Sequence, residues 1–431
     1  MKGSNPLVIV GNGIAGTTLA RHYRKKSKNP IILISEEHPY FFSRTALMYV
    51  YMGHMKFEHT QPYEPHFWVA NEIELIQARV THFDSQAQKI VLENGNSIAY
   101  AHLVWAVGSR PNRIGWPGQD ARRVQGLYHK QDLEQLEAWS AEIEKAVIVG
   151  GGLIGIELAE MLLSRGKKVT FLVRESSFWN GALPTEEAAI LDQHILAHGV
   201  DLRLSTELDR IETDTNGNAI AVVTTDGERI DCHYVGLTTG VRPNIDFLKD
   251  SALECKRGIL VNRYLETNLA HVYAIGDCAE QQEPLSGRKS IEAVWYTGRI
   301  MGETLAQTLI GNKTAYQPGI WFNSAKFFDI EYQTYGQVSA QADPKNEKQW
   351  FWQHPSKNKL IRFAYSAKSK TLLGVSSLGI RLRHQIFEQW LREEKNVKEA
   401  IDSLHKANFD PEFTPDPTLE VQDSFNSQIN S

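Results

Sequence analysis

Short β-branched runs alternate with segments of helical periodicity from residue 6 to about residue 310. The runs read PLVIV, PIILIS, AVIVG, KVTFLV and HVYAIGD, and a helical pattern follows the first and the third directly. Strands and helices that alternate in this way form parallel sheets covered by helices. The pattern therefore predicts the α/β fold class.

One pattern of strand, glycine turn and helix occurs twice, as VIVGNGIAGTTLARHY at 8–23 and VIVGGGLIGIELAEML at 147–162. In such a turn the first glycine bends the chain, the second lets backbone amides approach a pyrophosphate, and the third lets the helix pack closely. The sequence therefore predicts two Rossmann-like dinucleotide-binding domains. The turn residues are Gly11, Gly13, Ile14, Ala15 and Gly16 in the first, and Gly150, Gly152, Leu153, Ile154 and Gly155 in the second.

A carboxylate stands at the end of the second strand of each repeat. Glu36 lies 20 residues beyond Gly16, where an acid accepts the hydroxyls of an adenosine ribose. Glu175 lies 20 residues beyond Gly155, with Arg174 beside it. Glu175 favours NADH, whereas Arg174 favours the 2′-phosphate of NADPH. Both cofactors stay open, and two solvated residues at a strand end are the other interpretation.

The pattern changes from about residue 317 to aromatic, Lys-rich segments, which predict antiparallel strands of a third domain. In the following HQIFEQWLREE, at 384–394, an apolar stripe predicts a helix that faces the core. The last 21 residues hold three prolines, four acids and no Lys or Arg, which predicts a flexible acidic tail.

Composition narrows the class further. A chain of 431 residues has room for two or three domains, and a net charge of −5 gives no overall attraction to nucleic acid or an anionic membrane. The three cysteines, Cys232, Cys255 and Cys278, are too few and too widely spaced for a disulfide framework or an iron–sulfur cluster. They favour a reducing, cytoplasmic compartment, and the N-terminus shows no signal peptide or membrane span.

Three further motifs make a family resemblance specific: LVWAVGSRPN at 103–112, VGLTTGVRPN at 235–244 and TNLAHVYAIGDCA at 267–279. With the two glycine turns, they make the chain resemble the FAD-dependent pyridine nucleotide-disulfide oxidoreductases. Within that family it is most similar to the ferredoxin and rubredoxin reductases and to the flavoprotein part of the NAD(P)H nitrite reductase large subunit. The resemblance covers residues 6 to about 405.

The resemblance implies a domain order as well as a fold. An FAD-binding domain would be split between 1–115 and 247–318, with an NAD(P)H-binding domain at 116–246 inserted. An α+β interface domain would follow at 319–410, ahead of the acidic tail at 411–431.

The resemblance also implies roles for individual residues. Asp277 would bind the ribityl and phosphate region of FAD, and the helix that begins near Trp295 would point its N-terminus at the flavin ring. Trp295 would then pack against the isoalloxazine, unless it is an ordinary core residue. Glu157 would orient the nicotinamide, with a salt bridge within the fold as the alternative. The resemblance also assigns Val80 and Gly108 to the FAD site, Val80 as a contact of the adenine. It assigns Gly240 to the NAD(P) site.

The largest departure from the family lies beside the flavin. Members that reduce disulfides carry a cysteine pair or a single cysteine in the segment that here reads PYFFSRTALMYVYMGH, at 39–54. Arg44 stands where single-cysteine members place their thiol, and ferredoxin-reductase-like members have an arginine there, which implies a contact with FAD phosphates. Those members place a lysine where this chain has Tyr49. Without a cysteine in this region, a thiol relay has no nucleophile.

The function implied is that of an FAD-dependent NAD(P)H oxidoreductase. Hydride would pass from nicotinamide to flavin, and electrons would pass to an external acceptor: a ferredoxin, a rubredoxin or a nitrite reductase component. We expect a cytoplasmic monomer or homodimer that binds no nucleic acid and no membrane. We also expect no metal site, since His54, His59 and His66 lack the spacing of a zinc motif. The alternatives are a type II NADH:quinone dehydrogenase, which would dock through HQIFEQWLREE, and a redox-sensing flavoprotein resembling apoptosis-inducing factor.

Overall fold

The structure is a computed structural model, and it describes residues 5–409 and 416–429. The chain forms two compact units, the first from residues of 1–115, 125–143 and 239–318, the second from residues of 116–124, 144–238 and 319–431. The strands are β1 (Leu7–Val10), β2 (Ile31–Ser35), β3 (Ile73–Gln77), β4 (Val80–Asp84), β5 (Lys89–Leu92), β6 (Ser97–Ala99), β7 (His102–Trp105), β8 (Ser109–Pro111), β9 (Val124–Gln125), β10 (Lys145–Val149), β11 (Lys168–Leu172), β12 (Asp201–Arg203), β13 (Leu208–Thr213), β14 (Ala219–Thr224), β15 (Arg229–Asp231), β16 (Tyr234–Leu237), β17 (Val241–Pro243), β18 (Ile259–Val261), β19 (Val272–Ala274), β20 (Ala279–Gln281), β21 (Phe322–Phe327), β22 (Ile330–Gly336), β23 (Glu347–Gln353), β24 (Leu360–Ser366) and β25 (Leu372–Leu378). The α-helices are α1 (Ile14–Arg24), α2 (Leu47–Tyr51), α3 (Pro65–Ala70), α4 (Lys130–Trp139), α5 (Leu153–Ser164), α6 (Thr185–Ala197), α7 (Trp295–Leu309), α8 (His384–Arg392), α9 (Val397–Asp402) and α10 (Thr418–Ile429).

The first unit is built on a five-stranded sheet with the order β19-β7-β1-β2-β3, in which all neighbouring strands are parallel. All four residues of the central strand β1 are buried, as expected of a parallel strand covered on both faces. Helices α1 and α7 pack closely, because a Cβ on Gly302 would lie only 2.5 Å from the carbonyl oxygen of Ala15. This sheet order is that of a Rossmann-like domain, as the first glycine turn predicts.

The second unit contains a second sheet of the same kind, with the order β12-β11-β10-β16-β9. Strands β11, β10 and β16 pair in parallel, and α5 follows β10 through the second glycine turn. The fold class predicted from the sequence, α/β with two Rossmann-like domains, is therefore confirmed.

The C-terminal part of the second unit is α+β, as predicted. Its five-stranded antiparallel sheet has the order β21-β22-β25-β24-β23. The apolar stripe of α8 faces this core, since Phe387 and Trp390 are buried and Phe387 stacks on Tyr335 with ring centroids 5.2 Å apart.

The chain end differs from the loose tail predicted for 411–431. Residues 418–429 form α10, in which Val421 and Phe425 are buried one helical turn apart. The Phe425 ring meets Trp350 edge-on, with centroids 4.9 Å apart. Two apolar residues four positions apart lie on the same face of a helix and anchor it to the core. Counts of prolines and acids do not show this spacing, so composition alone predicts a flexible tail. Residues 410–415 lie outside the described part.

One segment groups differently from the predicted domain order. Residues 125–143, expected in the NAD(P)H-binding domain, belong to the first unit. The amide of Lys130, at the start of α4, donates to the Glu37 carboxylate at 2.7 Å, and Tyr51 and Ser140 share a buried hydrogen bond of 2.8 Å. These polar contacts, with buried Leu133 and Leu136 of α4, explain the grouping.

Candidate dinucleotide-binding sites

The turn between β1 and α1 has the shape that a pyrophosphate requires. Gly11 has a φ of +111°, and a Cβ there would lie 2.0 Å from the carbonyl oxygen of Ala106. A Cβ on Gly16 would lie 2.0 Å from the carbonyl oxygen of Gly11, so both positions demand glycine. A Cβ on Gly13 would meet no protein atom within 4 Å, so the space above the middle glycine is open.

The N-terminus of α1 is suited to an anion. Its cap residue is Gly13, which has no side chain to bond the first free amides, and among the described residues no acid occupies the first helical turn. The amides of Ile14, Ala15 and Gly16 have no partner within the helix. Open amides and the positive end of the helix dipole together make a phosphate site.

Asp277 lies in the short 3₁₀-helix Gly276–Cys278, beside this turn. Its carboxylate accepts a hydrogen bond from the Ser109 hydroxyl at 3.0 Å, and a Cβ on Gly276 would lie 3.1 Å from the Ala15 side chain. Burial raises the pKa of Asp277, although Ser109 and the charge of Arg44 oppose the rise. The structure thus brings the GDC and VGSRPN motifs together next to the first glycine turn.

Arg44 is held by an acid that the sequence reasoning missed. Its guanidinium bonds both oxygens of Glu37, at 3.0 and 2.6 Å, and also bonds the carbonyl oxygen of Tyr128. It lies over the Tyr128 ring, 4.5 Å from the centroid. Burial favours the neutral form of Glu37, but the hydrogen bonds and the charge of Arg44 outweigh it and lower the pKa of Glu37. Glu37 directly follows Glu36, and no spacing rule in the sequence points to it as the partner of Arg44.

The other predicted FAD residues also belong to the first unit. Glu36 is exposed directly after β2, and Arg79 is its nearest cation, with Nε 3.7 Å from Oε2. Gly108 has a φ of +66° between β7 and β8, and Val80 begins β4 as a buried residue. Trp295, the first residue of α7, is 37% exposed, so it is not an ordinary core tryptophan.

The second turn repeats the geometry of the first. Gly150 has a φ of +116°, and a Cβ on Gly155 would lie 2.6 Å from the carbonyl oxygen of Gly150. A Cβ on Gly152 would meet nothing within 4 Å. Gly152 caps α5, so the amides of Leu153 and Ile154 are left for a ligand, and no acid lies in the first turn of this described helix.

Arg174 and Glu175 neutralise each other just after β11. Their side chains form an ion pair of 2.8 Å, and Arg174 is 70% exposed. The carboxylate and the guanidinium thus lie together at the position where the ribose of NADH or the 2′-phosphate of NADPH is predicted to bind. Gly240 does not belong to the same unit as the second turn; it lies in the first unit. There its carbonyl oxygen accepts a hydrogen bond from the backbone N–H of Asn112 at 3.0 Å.

Glu157 is half-buried on α5, within two turns of the helix N-terminus. Burial, with a contribution from the nearby Glu160, raises its pKa to about 7. Glu160 itself pairs with Lys326 at 2.7 Å. Glu157 is therefore a carboxyl group that gains or loses a proton near neutral pH.

The cysteines are unsuited to redox relay chemistry. All three are free, and Cys232 and Cys278 are buried. Burial raises the thiol pKa of both to about 12 and also raises that of Cys255. Thiolates are the reactive form, so these groups are poor nucleophiles at neutral pH.

The two turns fit two dinucleotides. Each combines a left-handed glycine, a middle glycine under open space and an uncapped helix N-terminus, which is the cradle that a pyrophosphate fills. Two such cradles define a protein that binds two dinucleotides. A match to the family described as pyridine nucleotide-disulphide oxidoreductase covers residues 5–301, and the chain belongs to this family.

Relatives support the same assignment. A 5,5'-dehydrodivanillate O-demethylase ferredoxin reductase subunit of Sphingobium sp. strain SYK-6 is 31% identical over 334 residues, covering 76% of this chain and 81% of that protein. A rubredoxin-NAD(+) reductase of Acinetobacter baylyi is 30% identical over 322 residues, covering 72% and 79%. The crystal structure of an NAD-dependent persulfide reductase from A. fulgidus shares the fold, with a TM-score of 0.85 and 21% identity over 99% of this chain and 84% of that one.

The chain is therefore an FAD-dependent NAD(P)H oxidoreductase, as predicted. Its resemblance to ferredoxin and rubredoxin reductases is confirmed. Among the described residues, no helix has both the length and the apolarity needed to cross a bilayer.

Proposed function

We propose that this enzyme passes electrons from NAD(P)H to a small external redox protein of the ferredoxin or rubredoxin type, without a thiol relay. The observation that carries the proposal is the flavin-side segment, in which Arg44 is bonded to Glu37 and none of the cysteines lies before residue 232. The names of the two relatives described above support this class of acceptor. A nitrite reductase component is the remaining acceptor of the predicted set.

The chemistry supplied by the bound cofactors is hydride transfer from nicotinamide to flavin, followed by electron transfer to the acceptor. The chain's part is to position and polarise. In the proposed FAD site, the first glycine turn holds the pyrophosphate, Glu36 the ribose and Val80 the adenine. Asp277 and Gly108 line the ribityl side, and the N-terminal end of α7 stabilises negative charge on the ring.

In the proposed NAD(P)H site, the second turn holds the pyrophosphate and Glu157 orients the nicotinamide amide. Arg174 and Glu175 read the ribose, and their mutual pairing leaves NADH and NADPH both as candidates. Gly240 ends the VGLTTG motif beside Asn112.

We place this reaction in a reducing, cytoplasmic compartment, which three free cysteines support. The acidic net charge of −5 supports a protein partner over nucleic acid or an anionic membrane. The subunit would act as a monomer or a homodimer.

The test is an acceptor panel assayed with the FAD-loaded enzyme and each nicotinamide cofactor. We expect a ferredoxin or a rubredoxin to be reduced faster than a ubiquinone analogue, because relatives of the chain are named as ferredoxin and rubredoxin reductases. Activity confined to the membrane fraction with quinone preferred would replace the proposal with the quinone dehydrogenase alternative. Slow flavin reduction with a long-lived charge-transfer band and no acceptor turnover would favour the redox-sensing alternative.

A further inference from the structure

Two imidazoles and a carboxylate meet in the second unit, away from the second glycine turn. His194 lies near the end of α6, His198 follows one helical turn later, and Asp329 lies in the turn between β21 and β22. The Nε2 atoms of His194 and His198 lie 2.8 and 3.5 Å from the same oxygen, Oδ1 of Asp329. Among the described residues, one ligand atom from each of the three lies within 4.8 Å of the other two.

Both rings are held in place by other groups. The His198 ring stacks on Phe328, with centroids 4.1 Å apart and planes 8° apart. Its Nδ1 lies 2.9 Å from the carbonyl oxygen of His194, a contact in which Nδ1 donates, so the lone pair of a neutral ring is left on Nε2. The Nε2 atoms of the two histidines therefore lie beside Asp329 in ordered positions.

The amide of Asn358 sets the proton on His194, since its Nδ2 lies 3.2 Å from the Nδ1 of that ring. A half-turn of the amide presents its oxygen instead, so that Nδ1 donates and Nε2 carries the lone pair. His194 is buried, and its Nε2 lies 2.8 Å from Oδ1 of Asp329.

The turn that carries Asp329 is strained. Phe327 pairs with Ile330, so Phe328 and Asp329 form a two-residue turn, and Phe328 has a φ of +55°. A bulky residue rarely adopts this left-handed conformation, because its Cβ crowds the backbone there. The same turn places Phe328 against His198 and Asp329 against His194, so the strained conformation assembles the cluster.

We propose that His194, His198 and Asp329 bind a divalent transition metal of the Zn²⁺ class. Histidines four residues apart on a helix, with a carboxylate from elsewhere, are a ligand set of this class, and water would complete a tetrahedron. Metal–ligand bonds of about 2.0–2.2 Å would set the ligand atoms of a tetrahedron roughly 3.3–3.6 Å apart. The His198 contact has that spacing. The His194 contact must lengthen by roughly half an ångström or more, and Asp329 can move outward because its side chain is 79% exposed.

The metal would link the end of α6 to the β21–β22 turn, a role independent of the proposed electron transfer. The site lies outside the predicted cofactor residues, so its loss should leave flavin content and flavin reduction by NAD(P)H unchanged.

The test uses the tag-free FAD-loaded enzyme, stripped with a chelator and titrated with Zn²⁺ in equilibrium dialysis. We expect one Zn²⁺ per chain. Loss of a group that only supports a ligand typically weakens metal binding roughly 10–100-fold. The substitutions His198→Ala and Asp329→Asn should each weaken Zn²⁺ binding by more than that, because each removes a direct ligand. His66→Ala is the matched control, since His66 also faces a carboxylate, that of Glu64 at 3.2 Å, but on an open surface.

Cobalt substitution gives a second readout that does not depend on stability. Visible absorption bands of tetrahedral Co²⁺ should appear with the native chain and the His66→Ala variant, and should be absent with Asp329→Asn, which keeps the side-chain size. Zn²⁺ binding by the native chain no tighter than by Asp329→Asn, or native Co²⁺ bands that survive in that variant, would overturn the proposal.

Discussion

At the scale of single residues, Arg44 is the most informative side chain beside the predicted flavin site. Its planar guanidinium donates hydrogen bonds to the Glu37 carboxylate and to the Tyr128 carbonyl oxygen at the same time. The three N–H donors of lysine sit on a single nitrogen, so lysine cannot reproduce this planar arrangement. Because Arg44 is the residue that the family resemblance predicts to contact the FAD phosphates, we expect Arg44→Lys to weaken FAD binding about 10–100-fold, since a hydrogen bond to a charged group contributes about 1.5–3 kcal/mol. Flavin content per chain after dialysis measures the effect.

A matched control for Arg44 is Arg299→Lys. Arg299 pairs with Glu303 on the same unit but is 54% exposed, and exposed pairs contribute little. Equal flavin loss in both variants, or none in either, would remove Arg44 from the cofactor site.

Glu157 predicts a pH dependence of stability. Burial raises its pKa to about 7, above its ordinary value of 4.5, so the folded chain keeps a proton that the unfolded chain releases. Stability should therefore fall as pH rises from about 4.5 to about 7 and then level off, by no more than about 3 kcal/mol for this group. Glu157→Gln stays neutral and should lack this slope in urea unfolding measured across pH. Parallel curves for the two proteins would show that Glu157 keeps an ordinary pKa.

At the scale of the elements, substitutions in the glycine turns should affect either folding or cofactor binding, depending on the position. A Cβ on Gly13 or Gly152 meets no protein atom within 4 Å, whereas one on Gly11 overlaps the Ala106 carbonyl. We expect Gly13→Ala to fold normally yet lose FAD, and Gly152→Ala to keep FAD but resist reduction by NAD(P)H, because each methyl group occupies pyrophosphate space.

Gly181→Ala is the control for both turn variants, since Gly181 also has open space around it. Gly11→Ala should instead unfold the first unit. Thermal unfolding, flavin content and flavin reduction distinguish these outcomes, and a Gly13→Ala enzyme with full FAD content would contradict the placement of the pyrophosphate.

A buried ion network ties α6 to the C-terminal sheet. Arg362 on β24 bonds both oxygens of Glu187, each at 2.7 Å, and also Glu186 at 2.6 Å, while Glu187 is fully buried. Removing the cation leaves a buried charge unpaired, so Arg362→Met should cost roughly 3–5 kcal/mol in urea unfolding. Arg381→Met, which breaks the exposed pair with Glu331 on the same sheet, should cost less than about 1 kcal/mol. Similar losses in the two variants would contradict the role given to burial.

At the scale of the whole molecule, local signals were predictive and distant ones were not. The two Rossmann-like folds follow from glycine turns whose residues are contiguous, and α8 from an apolar stripe within eleven residues. The contacts of Arg44 with Glu37 and Tyr128 join residues up to 84 positions apart, and the contact between His194 and Asp329 joins a helix to a distant turn. The sequence shows the four-residue spacing of His194 and His198, but it does not show that Asp329 folds against them.

The central claim is that the chain carries FAD and reduces it with a nicotinamide cofactor. Anaerobic stopped-flow mixing of the purified enzyme with NADH and with NADPH tests this directly, through the visible absorbance of the flavin. We predict that at least one of the two cofactors bleaches the flavin rapidly. A purified protein that holds no FAD, or one whose flavin neither cofactor bleaches, would contradict it.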